Sequence, residues 1–174
     1  MHHAVSRPFR KPPGQLSLRR AGMSYVDLTL TTMILGLIAA IASPKFSDAM
    51  AYNHADSAIR RIEADLNYVR GQACYANTPC SITFVASPPS FTTTGVPHTN
   101  NSGVPYAVNF SQLGYSISLA ANMNSTSSVT YSVTGVPSAG LPLSVLTLNT
   151  ITVTSGKWTR TVSVDPVTGR ARRS

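Results

Sequence analysis

Residues 28–44 run for seventeen positions without a charge, and residues 33–42 are almost unbroken Ile, Leu, Ala and Met. At about 1.5 Å per residue such a helix spans roughly 25 Å, and counted from Met23 about 31 Å, close to the ~30 Å hydrocarbon core of a bilayer. The pattern predicts one membrane-crossing helix. Beyond Pro44 the apolar residues return at the helical period: Ala58, Ile62, Leu66, Val69, Ala73 and Ala76 follow at gaps of three and four, with Ile59 and Tyr75 widening the stripe. Arg60, Arg61, Glu63, Asp65 and Arg70 lie mostly off that line, so one face is expected to pack on a domain and the other to meet water. The helix is predicted from Met23 to about Asn77, with Pro44 as its bend and Thr78-Pro79 as its stop.

From Cys80 the period changes to two. Residues 82–85, 106–110, 115–119, 129–133, 145–148, 151–154 and 158–164 read as strands separated by Pro and Gly, and residues 170–173 add a terminal one. Residues 87–105 and 137–142, rich in Pro, Gly and Asn, read as loops. Alternation of Ser and Thr with apolar residues predicts an antiparallel sheet with one face on the helix and one face wet. With 174 residues there is room for one domain and an anchor, which makes the fold class α+β.

The formal charge of +8 changes meaning once it is mapped. Arg7, Arg10, Lys11, Arg19 and Arg20 precede any acid, whereas from Met23 onward nine Lys and Arg face six acids, a net of +3. Five cations ahead of the apolar run place the N-terminus in the cytoplasm and everything after Pro44 on the far side. Small residues at Ile41-Ala42-Ser43 imitate an ordinary signal-peptide cut, but Asp27 argues against that reading. A carboxylate in a spanning helix costs about 2.5–3.5 kcal/mol at the bilayer centre and less at its edge. Asp27 is therefore either functional or an interfacial residue that stays wet.

Asp27 stands five positions after Gly22, and Pro44 stands twenty-two after it. In this spacing the chain resembles the type IV prepilin family, in which a leader ends in Gly, an acid follows at the fifth mature position and Pro at the twenty-second. The stretch Gly22-Met23-Ser24-Tyr25-Val26-Asp27-Leu28 is similar to the family's cut site, with Met23 where Phe is usual and Asp27 in place of Glu. Thr29, Thr31 and Thr32 make the first turns more polar than the family pattern.

The resemblance implies a pilin-like fold, with a long N-terminal helix packed on an antiparallel β-sheet domain. It implies a cleaved leader over 1–22, a transmembrane and assembly helix over 23–44, an amphipathic continuation over 45–78 and a β-rich domain over 79–174. Prepilin peptidase would cut between Gly22 and Met23 and methylate the Met23 amine; Asp27 would then accept a neighbouring subunit's amine during assembly. The implied place is the bacterial inner membrane, single-pass, with a periplasmic C-terminal domain that enters a pilus or pseudopilus. Its partners would be other pilins or pseudopilins and the inner-membrane assembly platform. Residues 64–73, then strands, then Asp165-Pro166-Val167-Thr168-Gly169-Arg170 resemble the GspH/FimT branch, which serves type II secretion or type IV pili.

Candidate chemistry is sparse. No Gly-rich phosphate loop, nucleophile elbow, HExxH or carboxylate pair is present, and the expectation is a structural protein, without cofactor or metal, rather than an enzyme. His2 and His3 leave with the leader, while His54 and His98 read as solvated. Cys74 and Cys80 either close a small disulfide loop or remain two unpaired buried thiols. Arg170, Arg172 and Arg173, preceded by Lys157 and Arg160, suit phosphate geometry, and Gly169-Arg170-Ala171-Arg172 resembles the tail with which some FimT-like pilins bind DNA. The alternatives to a filament subunit are thus a DNA-capturing pilin, a plain solvated tail, and an anchored or secreted β-rich domain with no filament role.

Overall fold

The structure is a computed structural model that describes residues 24–98, 101–139 and 144–174. The chain divides into two units, Met1–Ala40 and Ile41–Ser174. One helix, α1 (Tyr25–Ala76), opens the described chain and continues through Pro44. It ends where Asn77 adopts φ 52°, the left-handed conformation that closes many helices, just ahead of Pro79. The leader, with Gly22 and Met23, lies outside the described residues.

In the second unit the buried stripe of α1 comprises Ala55, Ala58, Ile59, Ile62, Asp65, Leu66, Val69 and Ala73. Each large apolar side chain on it contributes about 1.5–3 kcal/mol by leaving water. Tyr75 and Ala76, predicted on the stripe, are instead exposed. Asp65, predicted off it, is buried.

Ten strands follow: β1 (Cys80–Val85), β2 (Ser90–His98), β3 (Asn101–Asn109), β4 (Ser118–Met123), β5 (Ser128–Tyr131), β6 (Pro137–Ala139), β7 (Ser144–Val145), β8 (Asn149–Ser155), β9 (Trp158–Val164) and β10 (Ala171–Arg173). Their pairings are antiparallel. They form two sheets, ordered β3-β2-β1-β5-β6-β7 and β10-β9-β8-β4. Inward residues of both sheets (among them Ile82, Phe84, Phe91, Val129, Ile151, Val153, Val162 and Val164) close one core with the helical stripe. Phe91 anchors it, with ring centroids 5.9 Å from Phe84, 6.0 Å from Tyr106 and 6.1 Å from Phe110.

The stretch 87–105, expected as a loop, holds β2 and much of β3. Pro88 and Pro89 occupy the β1–β2 turn, and Gly95, at φ 84°, sits in the irregular part of the β2–β3 register. The buried Thr93 faces Ile82 across the β1–β2 pair, and its hydroxyl donates to Val96 O at 3.2 Å and to Tyr106 O at 2.8 Å. A satisfied threonine thus fills a core position that the sequence pattern would give to an apolar residue.

Candidate functional site

The first unit presents an uncovered apolar helix. Val26, Met33, Leu35, Leu37 and Ile38 are all more than half exposed, and by length and composition α1 can cross a membrane once. Asp27 lies in its first turn, exposed, and among the described residues no side chain pairs with it. The threonines that look too polar for lipid are satisfied internally: Thr29 donates to Val26 O at 2.9 Å, Thr31 to Leu28 O at 2.9 Å, and Thr32 to Leu28 O and Thr29 O at 3.0 Å. Such back-bonding hides a hydroxyl from hydrocarbon.

In the second unit the basic C-terminal residues belong to a paired strand rather than a free tail. Arg172 is paired with Ser163 and Arg173 with Val162. Asn67 holds Ala171 from the helix side, accepting from its backbone N at 3.1 Å and donating to its carbonyl at 3.4 Å. Arg173 Nε reaches Glu63 Oε2 at 2.7 Å, and its Nη1 lies 3.9 Å from Asp56 Oδ1. Arg170 and Arg172 remain exposed. Backbone N–H groups of Thr168 and Val167 hold the Asp165 carboxyl below the usual range, with a smaller push from Arg172.

Lys157 and Arg160 meet α1 on the turns just before Asp56. Lys157 Nζ pairs with Asp48 Oδ2 at 2.5 Å, and the Arg160 guanidinium sits 5.0 Å from the Tyr52 ring centroid. Lys157, Arg160 and Arg173 thus meet α1 at Asp48, Tyr52 and Asp56, one turn apart, and each has a partner there. His54, expected in solvent, is half-buried: its Nδ1 accepts from Ser116 N at 3.3 Å and its ring stands edge-on to Tyr115. His98 stacks loosely against Tyr106 at 6.1 Å. Cys74 and Cys80 are free, Cys74 exposed and Cys80 buried, so neither the disulfide nor the pair of buried thiols describes them. Burial pushes the Cys80 thiol up. Among the described residues no three of His, Cys, Asp and Glu converge as a metal site would require.

One polar network escaped the sequence reading. Tyr106 Oη donates to Asp65 Oδ1 at 2.9 Å, Arg61 Nε donates to Asp65 Oδ2 at 3.1 Å, and Arg61 Nη2 donates to Tyr106 Oη at 3.0 Å. Burial raises the Asp65 carboxyl, opposed by the Tyr106 hydrogen bond and the Arg61 charge. Arg61 and Asp65 stand four apart, the spacing of a helical ion pair, and that was the available signal.

No protein-family model and no curated protein sequence matches the chain. Among solved structures it is similar to two crystal forms of the type IV minor pilin FimU from Pseudomonas aeruginosa strain PAO1. One superposes with a TM-score of 0.51 at 16% identity, over 70% of this chain and 89% of that one. The other gives 0.49 at 16% identity, over 68% and 91%. The likeness is one of fold: this chain has the type IV pilin-like architecture of one long N-terminal helix packed on antiparallel β-structure.

Proposed function

We propose that the chain is a minor pilin or pseudopilin subunit of the GspH/FimT type, a structural component of a type IV pilus or type II secretion pseudopilus. Residues 1–22 form the leader, 23–44 hold the chain in the inner membrane, and 45–78 with 79–174 build a periplasmic domain. Prepilin peptidase cuts between Gly22 and Met23 and the Met23 amine is methylated. The mature subunit then joins other pilins or pseudopilins at the inner-membrane assembly platform.

The observation that supports this reading is the two-part character of α1. Its N-terminal half is apolar and uncovered, whereas its C-terminal half is packed against the strands. An uncovered apolar half needs lipid before assembly and neighbouring helices after it. In that setting Asp27 requires a positive partner, and a neighbour's N-terminal amine supplies one. The test is intact mass and N-terminal sequencing of the membrane-associated protein from its native host. A start at Met23 with a methylated amine is expected; a start near Pro44, or an uncut chain, overturns the reading in favour of an anchored or secreted β-rich domain.

A second reading, DNA capture by the C-terminal strand, draws support from the exposure of Arg170 and Arg172. It is the weaker one, because Arg173, Lys157 and Arg160 already have partners within the domain. A low-salt gel shift with the full chain that vanishes in R170A/R172A would favour it; absence of any shift disposes of it.

A further inference from the structure

The three threonines in the first turns of α1 bond alike but do not share a face. Each donates its hydroxyl proton to a carbonyl three or four residues back: Thr29 to Val26 O, Thr31 to Leu28 O, and Thr32 to Leu28 O and Thr29 O. A hydroxyl carries one proton and two lone pairs, so each oxygen is left with acceptor capacity alone. At about 100° per residue, Thr31 lies about 40° round the helix from Asp27, whereas Thr29 and Thr32 lie about 160° and 140° away. Thr31 therefore stands one turn beyond Asp27 on the same side, and both are exposed.

Helical side chains tilt toward the N-terminus, which leans Thr31 over the turn that holds Asp27, and its bond to Leu28 O follows that tilt. Cβ atoms at this spacing are about 5–6 Å apart. A charged N–H donor sits about 2.8 Å from each oxygen it bonds, so one nitrogen can bridge two oxygens about 5 Å apart. We propose that Asp27 and Thr31 form a two-point site for an alkylammonium group, the N-terminal amine of a neighbouring subunit. Asp27 supplies the charge and Thr31 the second acceptor. The proposal rests on the assembly role given to Asp27 in the function proposed above.

A singly methylated amine keeps its positive charge and two N–H donors, and away from water both need acceptors. The Asp27 carboxylate takes one and the Thr31 oxygen takes the other. With its own proton held by Leu28 O, Thr31 has none to offer a carboxylate or a phosphate, so the pair selects a cationic donor. Thr29 and Thr32, bonded in the same way on the far side of the helix, have no part in it. They serve as controls, because replacing either alters the polarity of the same turns without touching the site.

The full chain is expressed in its native host as the parent and as T31V, T31S, T29V, T32V and D27N. Each is followed by N-terminal sequencing and by immunoblots of membrane and sheared-filament fractions. Valine keeps the shape of threonine and removes the oxygen. T31V is expected to be cut after Gly22 and held in the membrane like the parent, yet to be depleted about tenfold from filaments. T31S is expected to restore incorporation, and T29V and T32V to leave it unchanged. Normal incorporation of T31V alongside depletion of D27N overturns the Thr31 site and leaves the assembly role of Asp27 standing. Equal depletion of all three valine variants, or failure of T31S to restore incorporation, overturns the site in favour of a general need for polarity in these turns. A T31V chain left uncut overturns it in favour of a role in processing. An uncut parent overturns the function proposed above and this site together.

Discussion

The Tyr106 hydroxyl of β3 bonds to Asp65 on the buried face of α1 across 2.9 Å, fastening a sheet-edge strand to the helix. Arg61 completes the triangle by donating to both. Because burial outweighs these partners, the folded Asp65 pKa lies above its unfolded value. Between those two values the native state binds more protons than the unfolded one. The Asp65 contribution is therefore most favourable below the unfolded pKa and declines as pH rises through the folded one.

D65N, which does not titrate, should gain on the parent as pH rises through that window. Urea unfolding of both proteins in detergent, at acid and at neutral pH, measures the difference; parallel pH profiles would refute the assignment. Y106F removes a hydrogen bond that opposes burial, so it should steepen the parent's slope. At neutral pH it should cost about 1–3 kcal/mol, the penalty of an acceptor left without its donor.

Two glycines separate backbone need from backbone accident. Gly169, at φ 68°, lets the β9–β10 turn meet the β5–β6 turn, and a Cβ there would fall 2.1 Å from Gly135 O. Arg70 locks the same junction by donating to Thr168 O at 2.7 Å. G169A should lose more than about 2 kcal/mol, since strain and collision act together. Gly71, inside α1, meets nothing within 4 Å, and G71A should gain about 0.5–1 kcal/mol. Thermal unfolding of the pair checks both signs, and a shift of the same sign in the two variants would contradict this account.

Strands β1, β5, β8 and β9 were legible because β-branched and aromatic residues alternate there with Ser and Thr, and the inward set is apolar. β2 was not. Its inward row is Phe91, Thr93 and Val96, so a hydroxyl breaks the apolar period, and the proline and glycine nearby serve the turn and the irregular register. The helical stripe was legible as far as Ala73 because the period of 3.6 is enforced by the core it covers. Asp65 falls on that stripe, but its character as a carboxylate pointed outward; Tyr106, 41 positions away, joins Arg61 in making its burial tolerable. The division into two sheets depends on pairings between strands far apart in the chain, which local periodicity does not encode.

The two thiols offer a check that is independent of any filament. Cys74 is exposed on the last turns of α1, whereas Cys80 Sγ is buried among Thr78 O and Gly95 O at 3.6 and 3.5 Å. One thiol per chain should react with a thiol-specific dye under native conditions, and two after denaturation, with no reductant added. Mapping the native label should place it on Cys74. Absence of reactive thiol in the denatured, unreduced chain would mean that the pair is bonded instead.

Asp27 carries the last prediction, which follows from the function proposed for α1. Nothing among the described residues neutralises it, and its side chain is one methylene shorter than the Glu of the family pattern. If a neighbour's amine is its partner, charge and reach should both matter, and in a definite order. D27E should be incorporated into filaments at least as well as the parent. D27N and D27A should be cut after Gly22 as before yet be depleted from sheared filaments by an order of magnitude or more, because the incoming amine would be buried unpaired. Immunoblots of sheared and membrane fractions, paired with N-terminal sequencing, separate processing from assembly. Normal incorporation of D27A would remove Asp27 from the assembly step and leave it as a wet residue at the bilayer edge.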